Sequence, residues 1–416
     1  MTNRSAGEQL TQLIADRREG HGLARDFYLD PDIYEAEIEK IWRQGWLFAA
    51  HSCEIPEPGD YLTYQIATDS ILILRDDDYA IRAFHNICRH RGTLLCEQPS
   101  GHLGKVVCPY HQWTYDRRGR LCSARGMGSQ FDKSEWSLLP VAVHEPAGLI
   151  YISLAERPLP FELVEQQLIK FATPQGIARA RVAHCVDYEI DANWKLIWEN
   201  NRECYHCNIN HPQYIKANFD HYNRDDRTAA IQEQIDAQID HSRAKWEAAD
   251  LAVTHRETGM ASFPDPDTEA GWCAINRTVL SGGYLSETMD GRQAAPLMGD
   301  YSDADVGTLR MRTMPNMWNH SSCDHVVTTR LTPRGPRKTE ARVLWLVAGE
   351  AEEGRDYTLE ALLPFWQLTS EQDWDLCRRA QRGIESRAYR PGPLSPEKEQ
   401  NVDAFLRWYL RQLSPH

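Results

Sequence analysis

The sequence lacks the features that mark several large classes of protein. Its 416 residues carry 60 acidic and 46 basic side chains, which gives a formal net charge of −14 at pH 7. Proteins that bind nucleic acid usually present a basic patch, so this balance argues against nucleic acid as a partner. No apolar run approaches the roughly 18 residues of a membrane-spanning helix. Residues 1–5 lead into polar, charged sequence, so we expect no secretory signal.

Disulfide and dinucleotide-binding signatures are also missing. Eleven cysteines in a chain of this length do not indicate a disulfide framework, so we expect reduced thiols and a cytoplasmic location. The sequence contains no second cysteine-rich ferredoxin motif and no clear flavin or nicotinamide fingerprint. Any redox chemistry that draws on a nicotinamide cofactor therefore requires a separate reductase as partner.

Two short pairs of metal-binding residues are the most informative feature that is present. Cys88 and His90 form a Cys-x-His pair. After seventeen intervening residues, Cys108 and His111 form a Cys-x-x-His pair. In a Rieske [2Fe–2S] cluster, two cysteines bind one iron and two histidines bind the other. Zinc is the alternative, but its usual spacing joins Cys with Cys and His with His. The mixed pairs favour a Rieske cluster, which is an electron-transfer centre.

Hydrophobic patterns predict an α+β protein in three parts. Residues 1–45 read as a helical N-terminal segment that packs on the last part. Residues 46–158 contain short strand-like runs separated by turn residues, which predicts an all-β domain with both Cys/His pairs on its loops. In residues 159–416, helices are predicted near 161–172, 192–207, 229–249, 357–386 and 396–413, and strands near 180–191, 272–286, 308–316, 325–332 and 341–348.

His206 and His211 mark a second candidate metal site in the last part of the chain. On an ideal helix, a spacing of five residues separates two side chains by about 140°. Both imidazoles can bind one ion only if the helix ends or distorts between them, and Asn208, Asn210 and Pro212 supply such an ending. Two imidazoles and one carboxylate form the facial triad of non-haem Fe(II) oxygenases, which leaves positions open for dioxygen and water.

With both motifs identified, the chain resembles the catalytic α subunit of the Rieske non-haem iron oxygenases over nearly its whole length. The Rieske pairs match, and Glu203-Cys204-Tyr205-His206 through His211-Pro212 matches the family's acidic–x–Tyr-His–x4–His motif. The resemblance implies a Rieske domain, and a catalytic domain whose antiparallel sheet is flanked by helices in the helix-grip manner. It also implies a mononuclear iron, a homotrimer, and a flavin- or ferredoxin-type reductase that uses NAD(P)H.

The resemblance also implies the third iron ligand, an Asp in a late helix. Asp373, in the segment Ser370 to Cys377, matches that position best. Asp375, two residues further on, and Asp324, beside His325, remain alternatives.

A bridging role for Glu203 is likewise implied by the resemblance. In the family, the acidic residue three before the first ligand histidine bonds that histidine and a cluster histidine of the next subunit. Carried over, Glu203 would link His206 to His111 of a neighbouring chain. The spacing of three would place Glu203 and His206 on one face of a helix.

The sequence around the motifs resembles the branch of the family that acts on quaternary ammonium compounds, including glycine betaine monooxygenase and proline betaine (stachydrine) demethylase. The implied reaction hydroxylates an N-methyl group with O2 and releases formaldehyde. An aromatic-ring hydroxylating dioxygenase and a choline- or carnitine-type monooxygenase are the alternatives. Aromatic faces hold quaternary ammonium groups through cation–π attraction. The candidates, among which the sequence does not choose, are Phe219, Tyr222, Trp272, Tyr284, Trp318, Phe365 and Trp366.

Overall fold

A computed structural model describes residues 6–219, 228–253 and 271–414 of the chain. The chain divides into two units, of which the smaller comprises residues 42–159. The larger unit combines residues 1–41 with residues 160–416. The N-terminal segment therefore groups with the candidate catalytic part of the chain.

The smaller unit is built from antiparallel strands, as the sequence predicts. They are β1 (Leu47–His51), β2 (Asp60–Ile66), β3 (Asp69–Arg75), β4 (Ile81–His85), β5 (Ser100–His102), β6 (Val106–Val107), β7 (Thr114–Tyr115), β8 (Leu121–Ser123), β9 (Pro140–His144) and β10 (Leu149–Ser153). Seven form one sheet in the order β1-β10-β9-β4-β3-β2-β5, and β6-β7-β8 form a second sheet. The apolar runs of β3 and β10 are fully buried, which is typical of strands covered on both faces.

The larger unit contains the helices and a second antiparallel sheet. The helices are α1 (Ala6–Ala15), α2 (Asp26–Leu29), α3 (Pro31–Glu37), α4 (Glu162–Ala172), α5 (Trp194–Asn201), α6 (Cys207–Asn210), α7 (Tyr214–Ala217), α8 (Ala229–Ala248), α9 (Leu359–Leu362), α10 (Pro364–Ile384) and α11 (Gln400–Leu413). The strands are β11 (Ala180–Ile190), β12 (Cys273–Thr278), β13 (Thr308–Thr313), β14 (Met317–Ser321), β15 (Val326–Gly335) and β16 (Lys338–Ala348). Their order is β11-β16-β15-β14-β13-β12, so the predicted α+β class is confirmed.

Strand register brings one set of side chains to a common face of this sheet. Arg312 lies opposite Trp318, which lies opposite Thr329 on the next strand. His320 lies opposite Val327 in the adjacent row. Directly opposed residues on antiparallel strands share a face, so these rows form one surface. The buried residues of α10 recur every three or four positions, which gives the helix an apolar stripe that can pack on such a surface.

Several predicted elements are shorter than their apolar patterns suggest. The predicted helix 357–386 is two helices, because α10 begins anew at Pro364, a residue favoured in the first turn of a helix. The predicted strand 272–286 ends at Thr278. The predicted helix 192–207 ends at Asn201. In the part of the chain that the structure describes, no helix is long and apolar enough to cross a membrane.

A buried ion pair fastens the N-terminal segment to the helices of the larger unit. Lys195 Nζ in α5 lies 2.5 Å from Glu37 Oε1 in α3, and both side chains are buried. The Tyr409 hydroxyl donates to the same oxygen at 2.5 Å, and Trp194 Nε1 donates to Glu37 Oε2 at 2.7 Å. Burial lowers the pKa of Lys195, and the contact with the Glu37 carboxylate opposes this shift.

Replacing Lys195 with Met tests this anchor. The Glu37 carboxylate would stay buried without its cation, which typically destabilises a protein by about 3–5 kcal/mol. Lys105→Met is the matched control, since Lys105 is exposed and its loss is expected to change stability by less than about 1 kcal/mol. Denaturant unfolding of both variants measures the difference, and equal stability losses would contradict the role of the pair.

Candidate active site

Two loops of the smaller unit present the Cys/His pairs with matching backbone geometry. The amide of Cys88 donates to the carbonyl of Thr93 at 2.8 Å, and the amide of Cys108 donates to that of Trp113 at 2.8 Å. In each loop the residue four after the cysteine adopts positive φ, 72° at Gly92 and 59° at Gln112. Glycine adopts positive φ readily, whereas glutamine rarely does.

The side chains of these loops fit a Rieske cluster. Cys88 and Cys108 are buried and lie close enough to interact with each other. The rings of His90 and His111 are 4.7 Å apart, and nothing in the described residues bonds the buried Nδ1 of His90. Thiols beside thiols and imidazoles beside imidazoles are the arrangement in which each iron takes like ligands. The Tyr115 hydroxyl, 3.5 Å from Cys88 Sγ, can stabilise a thiolate there.

His206 and His211 flank a single helical turn in the larger unit. The preceding helix α5 ends at Asn201, and α6 begins at Cys207 with His206 before it and His211 after it. The ring centroids of the two histidines are 5.0 Å apart. The helix is interrupted before His206, and α6 then ends at Asn210, so the predicted helix end between the two histidines is present.

Asp373 completes a three-residue cluster with these histidines. One carboxylate oxygen, Oδ1, lies 2.9 Å from His211 Nε2 and 3.2 Å from His206 Nε2. Burial would raise the pKa of Asp373, but hydrogen bonds from both histidines lower it to about 2. The carboxylate is therefore ionised at neutral pH, as an iron ligand must be.

Nδ1 of each imidazole makes a hydrogen bond to a neighbouring side chain. His206 Nδ1 donates to Glu203 Oε1 at 2.6 Å, and His211 Nδ1 donates to Gln372 Oε1 at 2.7 Å. Both Nε2 atoms therefore face the Asp373 carboxylate, where they can hold a proton or bind a metal ion. Burial would lower the pKa of His206, but contacts with Asp373 and Glu203 raise it to about 10. The cluster thus favours a cation at its centre, and its donor set fits Fe(II).

The alternative carboxylates lie elsewhere. Asp375 is half exposed and pairs with Arg379 at 2.6 Å. Asp324 is fully buried, and its oxygens accept from the Ser286 hydroxyl and from the backbone amide of Ala294. Neither contacts His206 or His211, which leaves Asp373 as the carboxylate that the fold brings to them. Its role as a ligand stays a prediction.

The contact between Glu203 and His206 forms by a different route from the predicted one. Glu203 does not lie in a helix, so the expectation that the two residues share a helix face is wrong. Instead, Glu203 Oε2 accepts hydrogen bonds from the backbone amides of Tyr205 and His206. These bonds form a turn that places Glu203 Oε1 beside the His206 imidazole. A side-chain-capped turn achieves the pairing that a helical spacing suggested.

Cys204 and Cys207, on either side of His206, form a disulfide with a Cα–Cα distance of 5.0 Å. The expectation of reduced thiols is wrong for this pair, because the turn before α6 brings the two Cα atoms to a separation within the normal range for a disulfide. Cys207 Sγ lies within 4.8 Å of a nitrogen of each histidine. Joined to Cys204, it offers no thiolate to a metal, which again favours Asp373 as the third ligand.

A cleft between α10 and the sheet opens onto this cluster. Its more open part is lined by His206, His211 and Asp373 together with Asn200, Asn201, Tyr214, Arg312, His320, Trp366 and Thr369. A more enclosed part continues from the shared residues Asn200, Asn201, His320, Trp366, Thr369 and Asp373 to Trp318, Val327, Thr329 and Trp374.

The structure sorts the aromatic candidates. Trp318 and Trp366 line the cleft, whereas Trp272 packs on Phe161 at 5.7 Å. Phe219 and Tyr284 pack against hydrophobic clusters, Phe365 is buried within one, and Tyr222 lies outside the described residues. Tyr214 and Trp374 also line the cleft but were not among the candidates from the sequence. Trp374 was recoverable, because it adjoins Asp373 on the same helix.

Comparisons with known proteins agree with this arrangement. The family described as "Ring hydroxylating alpha subunit (catalytic domain)" matches residues 177–415, and the "Rieske [2Fe-2S] domain" matches residues 45–139. The chain is 39% identical to the glycine betaine monooxygenase oxygenase subunit of Chromohalobacter salexigens, over 97% of this chain and 88% of the relative. It is 37% identical to the subunit of that name from Pseudomonas aeruginosa, over 98% and 92% of the two chains.

Solved structures show the same fold at lower sequence identity. A quaternary ammonium Rieske monooxygenase gives a TM-score of 0.71 at 23% identity, covering 97% of this chain and 98% of that one. Naphthalene 1,2-dioxygenase from Rhodococcus gives a TM-score of 0.68 at 19% identity, with full coverage of both chains. At these identities the likeness concerns the fold alone.

Asp373→Asn tests the assignment of the third ligand. An uncharged amide binds Fe(II) more weakly than a carboxylate, so we expect total iron to fall from near three per chain toward the two of the cluster. Asp375→Asn, on the same helix, is the control and should keep the full amount. Iron and acid-labile sulfide analysis measures both, and unchanged iron in Asp373→Asn would contradict the assignment.

Proposed function

The chain belongs to the ring-hydroxylating α-subunit family with a Rieske [2Fe–2S] domain, and we propose that it is a monooxygenase that N-demethylates a small betaine. Two relatives that it matches over nearly its whole length are named glycine betaine monooxygenase oxygenase subunits. Glycine betaine and proline betaine are the proposed substrates. The function rests on one observation above all, the three tryptophans that surround the enclosed end of the cleft.

The three tryptophans, Trp318, Trp366 and Trp374, line that pocket beside Asp373. The rings of Trp318 and Trp374 are 6.4 Å apart and inclined by 56°, so they present faces in different directions. A quaternary ammonium has no N–H to donate and no lone pair, and aromatic faces are the groups that bind it most strongly in a desolvated site. The pocket therefore suits a trimethylammonium or dimethylpyrrolidinium group held next to the His206, His211 and Asp373 cluster.

The protein's own groups hold and orient the reacting centre. When bound, the iron supplies open positions for dioxygen and the cluster supplies single electrons. Glu203 and Gln372 fix the tautomers of His206 and His211 so that both Nε2 atoms face Asp373, which is the usual task of residues behind metal ligands. The tryptophans exclude water from one side of the pocket. The ring centroids of His320 and Trp366 are 4.0 Å apart, with the rings tilted by 42°, and burial lowers the pKa of His320 to about 4, so it stays neutral.

The overall reaction consumes one O2, two electrons and two protons for each methyl group. One oxygen atom enters an N-methyl C–H bond and the other leaves as water. The resulting N-hydroxymethyl group breaks at its C–N bond, which releases formaldehyde, a proton and the tertiary amine. The electrons come from NAD(P)H through a separate reductase, and we place the reaction in the cytoplasm.

We also propose that the protein is a homotrimer in which electrons pass between neighbouring chains. Near Glu203 the surface exposes Tyr205 at 56% and Ile209 at 87%, which suits a site covered by another protein surface. In the smaller unit, His111 is exposed and can meet such a surface from its own side. A solved relative is described in terms of inter-subunit electron transfer, and Glu203 is the proposed bridge to His111 of the adjacent chain.

Formaldehyde release distinguishes this function from hydroxylation of an aromatic ring. With a reductase and glycine betaine or proline betaine, we expect one formaldehyde for each O2 consumed. Trp366→Leu should raise the KM for the betaine by about ten-fold or more, because a desolvated cation–π contact contributes about 2 kcal/mol. Trp408→Leu, outside the cleft, is the control. Oxygen uptake with naphthalene, and none with either betaine, would contradict the proposal.

Glu203→Gln tests the bridge. Glutamine keeps the size of the side chain but cannot carry the negative charge that holds His206. In a single turnover, we expect the reduced cluster to be reoxidised by O2 and betaine at least about ten-fold more slowly, since residues behind metal ligands typically contribute that much. Glu371→Gln, an exposed carboxylate near Asp373, is the control. Stopped-flow absorbance follows the cluster, and a rate equal to that of the unchanged protein would contradict the bridge.

A further inference from the structure

One cationic side chain faces the same cleft as the tryptophans. Arg312 lies in β13, is 2% exposed, and lines the more open part of the cleft together with Asp373. Its strand partner toward the cleft centre is Trp318. Its Nε donates to Asn201 Oδ1 at 3.2 Å, and Asn201 lines both parts of the cleft. A buried guanidinium therefore stands within the proposed substrate site.

The neighbouring Arg310 has a different environment. Its Nη2 lies 3.9 Å from Glu287 and donates to Asn218 Oδ1 at 2.6 Å. Glu287 also accepts from Asn218 at 3.1 Å and from Thr308 at 3.2 Å. This set is an internal buried ion pair that does not line the cleft. Arg312, not Arg310, is the arginine that a bound molecule would meet.

A second positive charge lies near Arg312. Arg202 and Arg312 are both buried, and burial together with the repulsion between the two positive charges lowers the pKa of Arg202 well below its usual value. A negative group placed in the cleft beside them would relieve that repulsion. Arginine binds a carboxylate through two parallel hydrogen bonds, which gives direction as well as affinity.

We propose that Arg312 is the carboxylate anchor that makes this site select zwitterionic betaines over quaternary ammonium compounds without a carboxylate. The ammonium group occupies the enclosed pocket of Trp318, Trp366 and Trp374, and the carboxylate reaches Arg312 across the shared boundary at Asn201. The two charges of a betaine are only a few bonds apart, which matches neighbouring parts of one cleft. This inference rests on the proposed function and adds the element that determines its specificity.

Arg312→Gln and Arg312→Lys test the anchor by calorimetry on the anaerobic holoenzyme. The ligands are glycine betaine, proline betaine and choline, which has the trimethylammonium but no carboxylate. Loss of a charge-assisted pair should weaken betaine binding in Arg312→Gln by about ten- to hundred-fold and leave choline binding unchanged. Arg312→Lys should retain part of the affinity, because it keeps the charge but not the fork geometry. The Rieske absorption spectrum and thermal midpoint report folding.

Arg330→Gln is the matched control, because Arg330 follows Thr329 in β15 and so points to the opposite face of the sheet. It should bind betaines as the unchanged protein does. Equal betaine affinity in Arg312→Gln and the unchanged protein would overturn the anchor and leave the proposed function intact. An equal loss for choline and betaine would also overturn it, since it would show a structural role. Failure of the unchanged protein to bind any of the three ligands would instead contradict the proposed function.

Discussion

The candidate site depends on the convergence of two imidazole nitrogens on one partly buried carboxylate oxygen. Nδ1 of His206 and His211 are held by Glu203 and Gln372, so both Nε2 atoms must face Asp373. The pKa of His206, raised to about 10, shows that these three atoms favour a positive charge among them, which a proton or a metal ion can supply. This requirement explains why a helix stops before His206, why a one-turn helix separates the histidines, and why α10 is positioned by packing on the sheet.

The same helix and sheet that place the metal ligands also build the substrate pocket. Asp373 and Trp374 are consecutive in α10, and Trp366 lies two turns earlier on the same stripe. Trp318 and Arg312 are opposed on neighbouring strands. One packing surface therefore sets the distance between the reacting centre, the aromatic faces and the arginine. A change in that packing would move all three together, which couples substrate selectivity to the stability of the larger unit.

The local motifs were readable from the sequence, whereas the long-range partners were not. Cys88, His90, Cys108, His111, His206 and His211 stand at short spacings, and each spacing has a direct chemical meaning. Asp373 was identified only through resemblance, because 162 positions separate it from His211 and no local pattern joins them. Arg312 escaped for the same reason, since strand register brings it to the cleft, whereas Trp374 directly follows Asp373 in the sequence. The disulfide and the turn at Glu203 depend on backbone angles that residue types do not specify.

The most direct test of the account is the electron paramagnetic resonance spectrum of the mononuclear iron, with nitric oxide as a probe of its open positions. Glycine betaine or proline betaine is added anaerobically, and 3,3-dimethylbutanoate serves as the uncharged-head isostere. We expect a betaine to change the signal saturably and the isostere to leave it unchanged, because only the betaine offers a cation to the tryptophans beside the iron. A signal that no betaine perturbs, or that the isostere perturbs equally, would contradict it.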